Sequence, residues 1–148
     1  MPLTRDEDLA RLLADTRHIA LVGASDRADR PSYKVMAALL AHGYDVTPVN
    51  PALAGQQVLG KAVVADLGDI AEPIDLVDIF RNAEAAGPVV DAAIAVGAKA
   101  VWMQLGVINA AAAARAEAAG LQVVMDHCPK IELARLRVAL IHPAGSGL

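Results

Sequence analysis

The feature that most constrains this chain is a strict alternation of short β-branched, apolar runs with longer alanine- and leucine-rich stretches. Residues 18–22, 45–49, 74–80, 98–104 and 121–126 have the length and composition of buried strands. Residues 4–16, 31–42, 83–96, 109–119 and 129–137 carry apolar residues at helical spacing. Thr4, with Glu7 three residues on, predicts a capping box at the first helix. Asn109 predicts a cap at the fourth, and Gly43 and Gly120 predict helix stops. Residues 52–73, punctuated by Gly55, Gly60, Gly68 and Pro73, give only a short bridge at Val63-Val64. Strand and helix in turn, with strands apolar on both faces, call for a mainly parallel sheet covered on each side. Right-handed crossovers then favour an α/β, Rossmann-like doubly wound sheet of about five strands with helices on both faces.

At 148 residues the chain is close to the roughly 150 expected of one domain. We expect a single domain over 1–148, with a core at 4–137 and a frayed tail at 138–148. The net charge of −4 argues against nucleic-acid binding, which usually needs a basic surplus. A single cysteine rules out a disulfide framework. Mean hydropathy is high, +0.41, yet the uncharged stretch 100–114 is interrupted by Gln104, Gly106 and Asn109. That falls short of the about 20 apolar residues of a membrane span. The opening residues MPLTRDEDLA lack the order of a signal peptide. A cytoplasmic protein is expected, and alanine-rich helix faces would suit a homodimer.

In doubly wound sheets, ligands bind outside the carboxyl ends of the strands. That edge carries residues 23–34, Asn50-Pro51, Phe80-Arg81, 104–106 and His127-Cys128. In the first loop Gly23 allows close backbone approach, and Pro31 opens a helix whose free amides suit an anion. Ser25, Ser32 and Lys34 add donors; an ordinary solvated turn is the competing reading. The dinucleotide fingerprint G-x-G-x-x-G is missing, since no glycine recurs between Gly23 and Gly43. The acid that holds the ribose in NAD sites is replaced by Asn50-Pro51. A phosphate-binding G-x-x-x-x-G-K-[ST] loop is absent as well. Arg27, Arg30, Lys34 and Arg81 concentrate positive charge on this edge of an acidic chain, partly offset by Asp26, Asp29 and Glu84. Tyr33, Phe80 and Trp102 lie on or near it, with core filling the stronger reading for Trp102.

The stretches IALVGASDRADRPSYKVMAALLAHGYDVTPVNP, IDLVDIFRNAEAA, AVWMQLGVIN and GLQVVMDHCPKIE together resemble the small stand-alone bacterial CoA-binding proteins. Those are similar to the CoA-binding domain of succinyl-CoA synthetase and of the NDP-forming acyl-CoA synthetases. The resemblance runs from the first helix to Arg137 and implies a CoA-binding, Rossmann-like domain with coenzyme A as cofactor. It implies that Gly23, Ala24, Ser25, Ser32 and Lys34 meet phosphates and that Asn50 and Pro51 flank the adenosine. Phe80 and Arg81 would lie against the pyrophosphate and pantetheine arm, with Gln104 farther along it. Arg27 and Cys128 complete the candidate set. The chain departs from the family where an arginine commonly precedes the cysteine and His127 stands instead.

No catalytic constellation emerges from His18, His42, His127 and His142, and no histidine pair has metal-ligand spacing with an acid. The resemblance carries over binding and not ligase chemistry. Cys128 has two readings: a small buried residue at a tight junction, or a thiol facing the pantetheine end and able to form a mixed disulfide with CoA. The expected function is therefore a non-enzymatic carrier, sensor or buffer of CoA or a short acyl-CoA. An NAD(P)-binding oxidoreductase, the CoA-binding subunit of an acyl-CoA-handling enzyme and an interaction subunit with a vestigial crevice remain as alternatives.

Overall fold

A computed structural model describes residues 1–141. Five parallel strands, β1 (His18–Val22), β2 (Asp45–Val49), β5 (Leu76–Ile79), β6 (Ala100–Met103) and β7 (Gln122–Val124), form one sheet in the order β2-β1-β5-β6-β7. The remaining strands, β3 (Gln57–Val58) and β4 (Lys61–Ala62), make a separate antiparallel hairpin. Leu59 and Gly60 turn it with φ of 51° and 78°, the left-handed pair that a tight two-residue hairpin needs. The expected bridge is present, as Val64 pairs in parallel with Val49. The hairpin itself was not foreseen.

Helices α1 (Asp6–Asp15), α2 (Pro31–His42) and α5 (Pro129–Arg135) cover one face, and α3 (Ala83–Ala95) and α4 (Ala110–Ala118) the other. The alternation of side chains along each strand feeds both layers. Leu76 and Trp102 enter the α1/α2/α5 core, while Val77, Ile79, Val101 and Met103 enter the α3/α4 core. Both layers are therefore built from strands with no polar face, as a doubly covered parallel sheet requires. Among the described residues no helix is long and apolar enough to cross a membrane.

Two expectations at the ends need correction. Helix α1 begins one residue later than a Thr4 cap would require: Arg5 is its N-cap, without a side-chain cap bond. Asp6, Glu7 and Asp8 fill the first turn instead, where negative charge meets the positive end of the helix dipole. The folded core also runs past Arg137. Ile141 is buried, its amide donates to the His42 carbonyl at 2.8 Å, and His42 Nε2 donates to the Ala139 carbonyl at 2.9 Å. Gly43 ends α2 with φ 107°, and a Cβ there would sit 1.9 Å from the Ile141 carbonyl oxygen. Residues 138–141 are thus seated on the helix stop; the rest of the expected tail, 142–148, lies outside the described residues.

The amino edge of the sheet is tied by polar contacts. Asp75 Oδ2 accepts from the backbone amides of Arg17 and His18, each at 3.0 Å, and Lys99 Nζ lies 3.3 Å from Oδ1. Buried His18 donates through Nδ1 to the Pro73 carbonyl and accepts at Nε2 from the Thr47 hydroxyl, both at 2.8 Å. Burial alone would raise the Asp75 pKa, but the two amides and the Lys99 ammonium outweigh it and hold the carboxyl below its ordinary value. A depressed folded-state pKa gives stability that is present above the ordinary carboxylate range and lost as pH falls through the folded value. Asp75→Ala should therefore cost about 1.5–3 kcal/mol at neutral pH, with the deficit shrinking below about pH 4. Urea unfolding at neutral and acid pH checks this, and an equal deficit at both contradicts it.

Candidate functional site

From β1 the chain crosses to β2 on one side, and after returning at β5 it proceeds away on the other. The connections leaving β1 and β5 diverge at their carboxyl ends, and this reversal opens a crevice. At its base the two tips come very close. Gly23 has φ 89°, and a Cβ on it would lie 2.2 Å from the Phe80 carbonyl oxygen. Only glycine fits both the backbone angle and the space. The Phe80 amide donates to the Val22 carbonyl at 2.8 Å, and the Gly23 amide donates to the Val49 carbonyl at 3.0 Å.

Above this junction lies an open cavity of about 680 Å³, within the usual range for a small-molecule site. Of the residues expected from sequence, Gly23, Ala24, Ser25, Ser32, Asn50, Phe80, Arg81, Gln104 and Cys128 line it. Arg27, Lys34 and Pro51 do not. Lys34 is exposed and follows Ser32 by two positions, about 200° round the helix, so it leaves the face that Ser32 and Val35 present to the cavity. Arg27 lies on the exposed loop with its guanidinium 3.9 Å from Asp29. Pro51 borders a second depression of about 400 Å³, walled by Val49, the 65–68 segment and Val89 of α3. Arg81 lines both spaces.

The walls are held by their own polar groups. Asn50 donates through Nδ2 to the Ala24 carbonyl at 2.8 Å and accepts from the Ala52 amide at 2.9 Å. Ser25 Oγ accepts from the Arg27 amide at 3.1 Å, and Asn82 caps α3 through the Ala85 amide at 2.8 Å. Helix α2 opens onto the cavity through Arg30, Pro31 and Ser32, and no side chain caps its first turn. Its amides and the Arg30 and Arg81 side chains make this end attractive to an anion.

At the other end Cys128 is 6% exposed and is the N-cap of α5, without a side-chain cap bond. Asp126, with φ 58°, accepts from the Gly106 amide at 2.7 Å and ties the loop after β6 to the loop after β7. His127 donates through Nδ1 to the Met125 carbonyl at 2.7 Å, its Nε2 is 3.7 Å from buried Glu132, and its carbonyl accepts from Trp102 Nε1 at 2.8 Å. Through these contacts His127 orders the last loop. Trp102 is fully buried and belongs to the core. Tyr33 packs half-buried against the same core and does not line the cavity.

Leu105, within the 104–106 segment expected at this edge, also lines the cavity, whereas sequence reasoning missed the apolar contributions of Val35 and Val107 and the polar one of Asn82. It also missed Asp78, which is fully buried in the middle of β5. An acid inside the apolar run Leu76–Ile79 was the available signal. With the Gln104 carboxamide turned to it, Asp78 has one terminal atom of that group 2.7 and 3.2 Å from its two oxygens. Burial pushes the Asp78 pKa well above the ordinary carboxylate value.

This fold and edge define an α/β, Rossmann-like protein with an open crevice between the first and third strands of a five-stranded parallel sheet. A family model described as a CoA binding domain matches residues 17–134, and the chain belongs to that family. It is 36% identical over 124 residues to YneT of Bacillus subtilis (strain 168), described as uncharacterized, covering 84% of this chain and 90% of that protein. A structure of a hypothetical protein from Pyrococcus horikoshii OT3 shares 40% identity and superposes with a TM-score of 0.87 over 93% of this chain and 96% of that one. The dinucleotide-forming acetyl-coenzyme A synthetase 1 of Ca. Korarchaeum cryptofilum, at 22% identity and a TM-score of 0.65, has the same fold over 78% of this chain and 26% of its own.

Burial that raises the Asp78 pKa makes the folded protein hold this proton to higher pH than the unfolded chain, which loses it near about pH 4. Wild-type stability should then fall with rising pH, by about 1.4 kcal/mol per unit, up to the folded-state pKa. Asp78→Asn carries no such dependence. Its stability relative to wild type should rise as pH increases above about 4, up to the folded-state pKa of Asp78, in denaturant titrations, and a flat difference would contradict the raised pKa.

Proposed function

We propose that this chain binds coenzyme A or a short acyl-CoA across the β1/β5 crevice, as a non-enzymatic carrier, sensor or buffer. The observation that carries the reading is the cavity itself, in which residues from the tips of β1, β2, β5, β6 and β7 line one space with a cationic, helix-start end and a Cys128 end. CoA has the same polarity, with phosphates at one end and a thiol at the other. Pro51 and the second depression offer a place for the adenosine, and Arg81, common to both spaces, suits the pyrophosphate between them.

The binding role is supported by how the wall's polar groups are spent. Asn50, Ser25 and Asn82 each hold backbone, as does His127 outside the wall, and no histidine hydrogen-bonds the Cys128 thiol among the described residues. A lone cysteine also suits a reducing, cytoplasmic setting. Within this reading Cys128 exchanges with oxidised CoA: its thiolate attacks one sulfur of the CoA disulfide, a Cys128–CoA disulfide forms, and one CoA thiolate leaves.

Calorimetric titration with CoA, dephospho-CoA, NAD and NADP tests the assignment. CoA should bind, and Arg81→Ala should weaken it by about 1.5–3 kcal/mol, the scale for a hydrogen bond to a charged group. Lys34→Ala, on the helix face turned from the cavity, should cost less than about 0.5 kcal/mol. NADP binding without CoA binding would overturn the reading in favour of an oxidoreductase. After incubation with oxidised CoA, intact mass should rise by one CoA in wild type and stay unchanged in Cys128→Ser; an equal adduct in both removes Cys128 from the chemistry.

A further inference from the structure

We propose that Asp78 is a positioning residue that acts through Gln104: as a neutral acid it donates to the Gln104 carboxamide oxygen and so turns the Gln104 amide N–H into the cavity as a fixed donor for a carbonyl of the ligand. This rests on the CoA reading and sharpens it, because it names the functional group that the thiol half of the cavity recognises.

The geometry carries it. Asp78 is 0% exposed, Gln104 is 8% exposed, and Gln104 lines the cavity while Asp78 does not. One end of the carboxamide contacts both Asp78 oxygens, at 2.7 and 3.2 Å. The contact works in two ways. An ionised Asp78 would accept from the Gln104 amide and leave the carbonyl oxygen toward the ligand. A protonated Asp78 donates to that oxygen and leaves the N–H₂ toward the ligand. Which of the two holds is an electrostatic question. A wholly buried carboxylate needs a cation or several donors to offset its lost hydration. Among the described residues Asp78 forms no ion pair, and a single neutral carboxamide is the partner it has. Its strand neighbours in register are Leu21 and Trp102, and the Trp102 N–H is already given to the His127 carbonyl. The neutral acid therefore prevails, consistent with the direction in which burial moves its pKa.

A fixed donor among Phe80, Leu105, Val107 and Cys128 discriminates sharply, because an unmatched buried polar group is costly. CoA carries amide carbonyls on its pantetheine arm, and an acyl-CoA adds the thioester carbonyl. Acetyl-CoA and its thioether analogue S-ethyl-CoA separate these two sources.

Infrared spectra at neutral pH should show the carbonyl stretch of a protonated carboxylic acid in wild type and lose it in Asp78→Asn. Its absence from wild type overturns the proposal. In calorimetry, Gln104→Leu should weaken binding by about five-fold, the size of one net hydrogen bond. If only acetyl-CoA weakens, the thioester carbonyl is the acceptor; if both ligands weaken equally, it is a pantetheine amide. Asp78→Leu should reproduce the loss, whereas Asp78→Asn, whose amide can donate to the same oxygen, should keep wild-type affinities. Unchanged binding in Gln104→Leu, or a loss in Asp78→Asn equal to that in Asp78→Leu, overturns the proposal. Should Asp78→Leu fail to fold, the infrared band and Gln104→Leu decide. Absence of CoA binding by wild type would remove the CoA reading and this proposal with it, whereas insensitivity of a CoA-binding wild type to Gln104→Leu removes this proposal alone.

Discussion

The contact between the tips of β1 and β5 sets the terms for the rest of the molecule. Two neighbouring parallel strands whose outgoing connections part in opposite directions must leave a gap at their carboxyl ends. Here the gap has a narrow floor, because Gly23 lets the Phe80 carbonyl come where a side chain would otherwise stand. The Val22 carbonyl keeps these two tips in register, and the Val49 carbonyl ties Gly23 to the neighbouring β2. Everything that lines the cavity is attached to this floor or braced against it. The Asn50 carboxamide secures the loop after β1 from the β2 side, and Asp126 secures the far loops from the β7 side.

The fold was legible in the sequence because its signals are local and repeated. Each strand is a short apolar run, Gly43 and Gly120 mark the ends of α2 and α4, Asn109 caps α4, and the alternation admits few topologies. The signals that failed were those in which position is decided from outside the segment. Thr4 had the composition of a cap, but the three acids that follow it start the helix a residue later. Residues 138–141 looked like the start of a tail, and only the surface offered by Gly43 and His42 shows why they are packed. The hairpin at 57–62 had a Gly60 turn signal but strands of two residues, too short to register as periodicity.

The site was legible to the extent that strand ends are. Nine of the twelve expected residues line one cavity, and they are the ones at strand tips or on the inward face of the α2 start. Arg27 stands out by charge and Lys34 by charge and by the family resemblance, and neither signal says which way this helix or loop turns its side chains. Asp78 illustrates the opposite failure. It lies a full residue inside the strand, where alternation with Leu76 sends it into the α1/α2/α5 layer, and what sets it apart is that among the described residues Gln104 is the partner it has. Such isolation is a three-dimensional property, visible only once the neighbours are placed.

The arrangement around Trp102 has a practical consequence. It is the sole tryptophan of the chain, it is sealed from water, and its indole N–H is bound to the backbone immediately before Cys128. Indole emission shifts with local polarity and with the strength of that one bond. The protein therefore carries its own optical gauge, wired to the loop that brings Cys128 to the cavity wall.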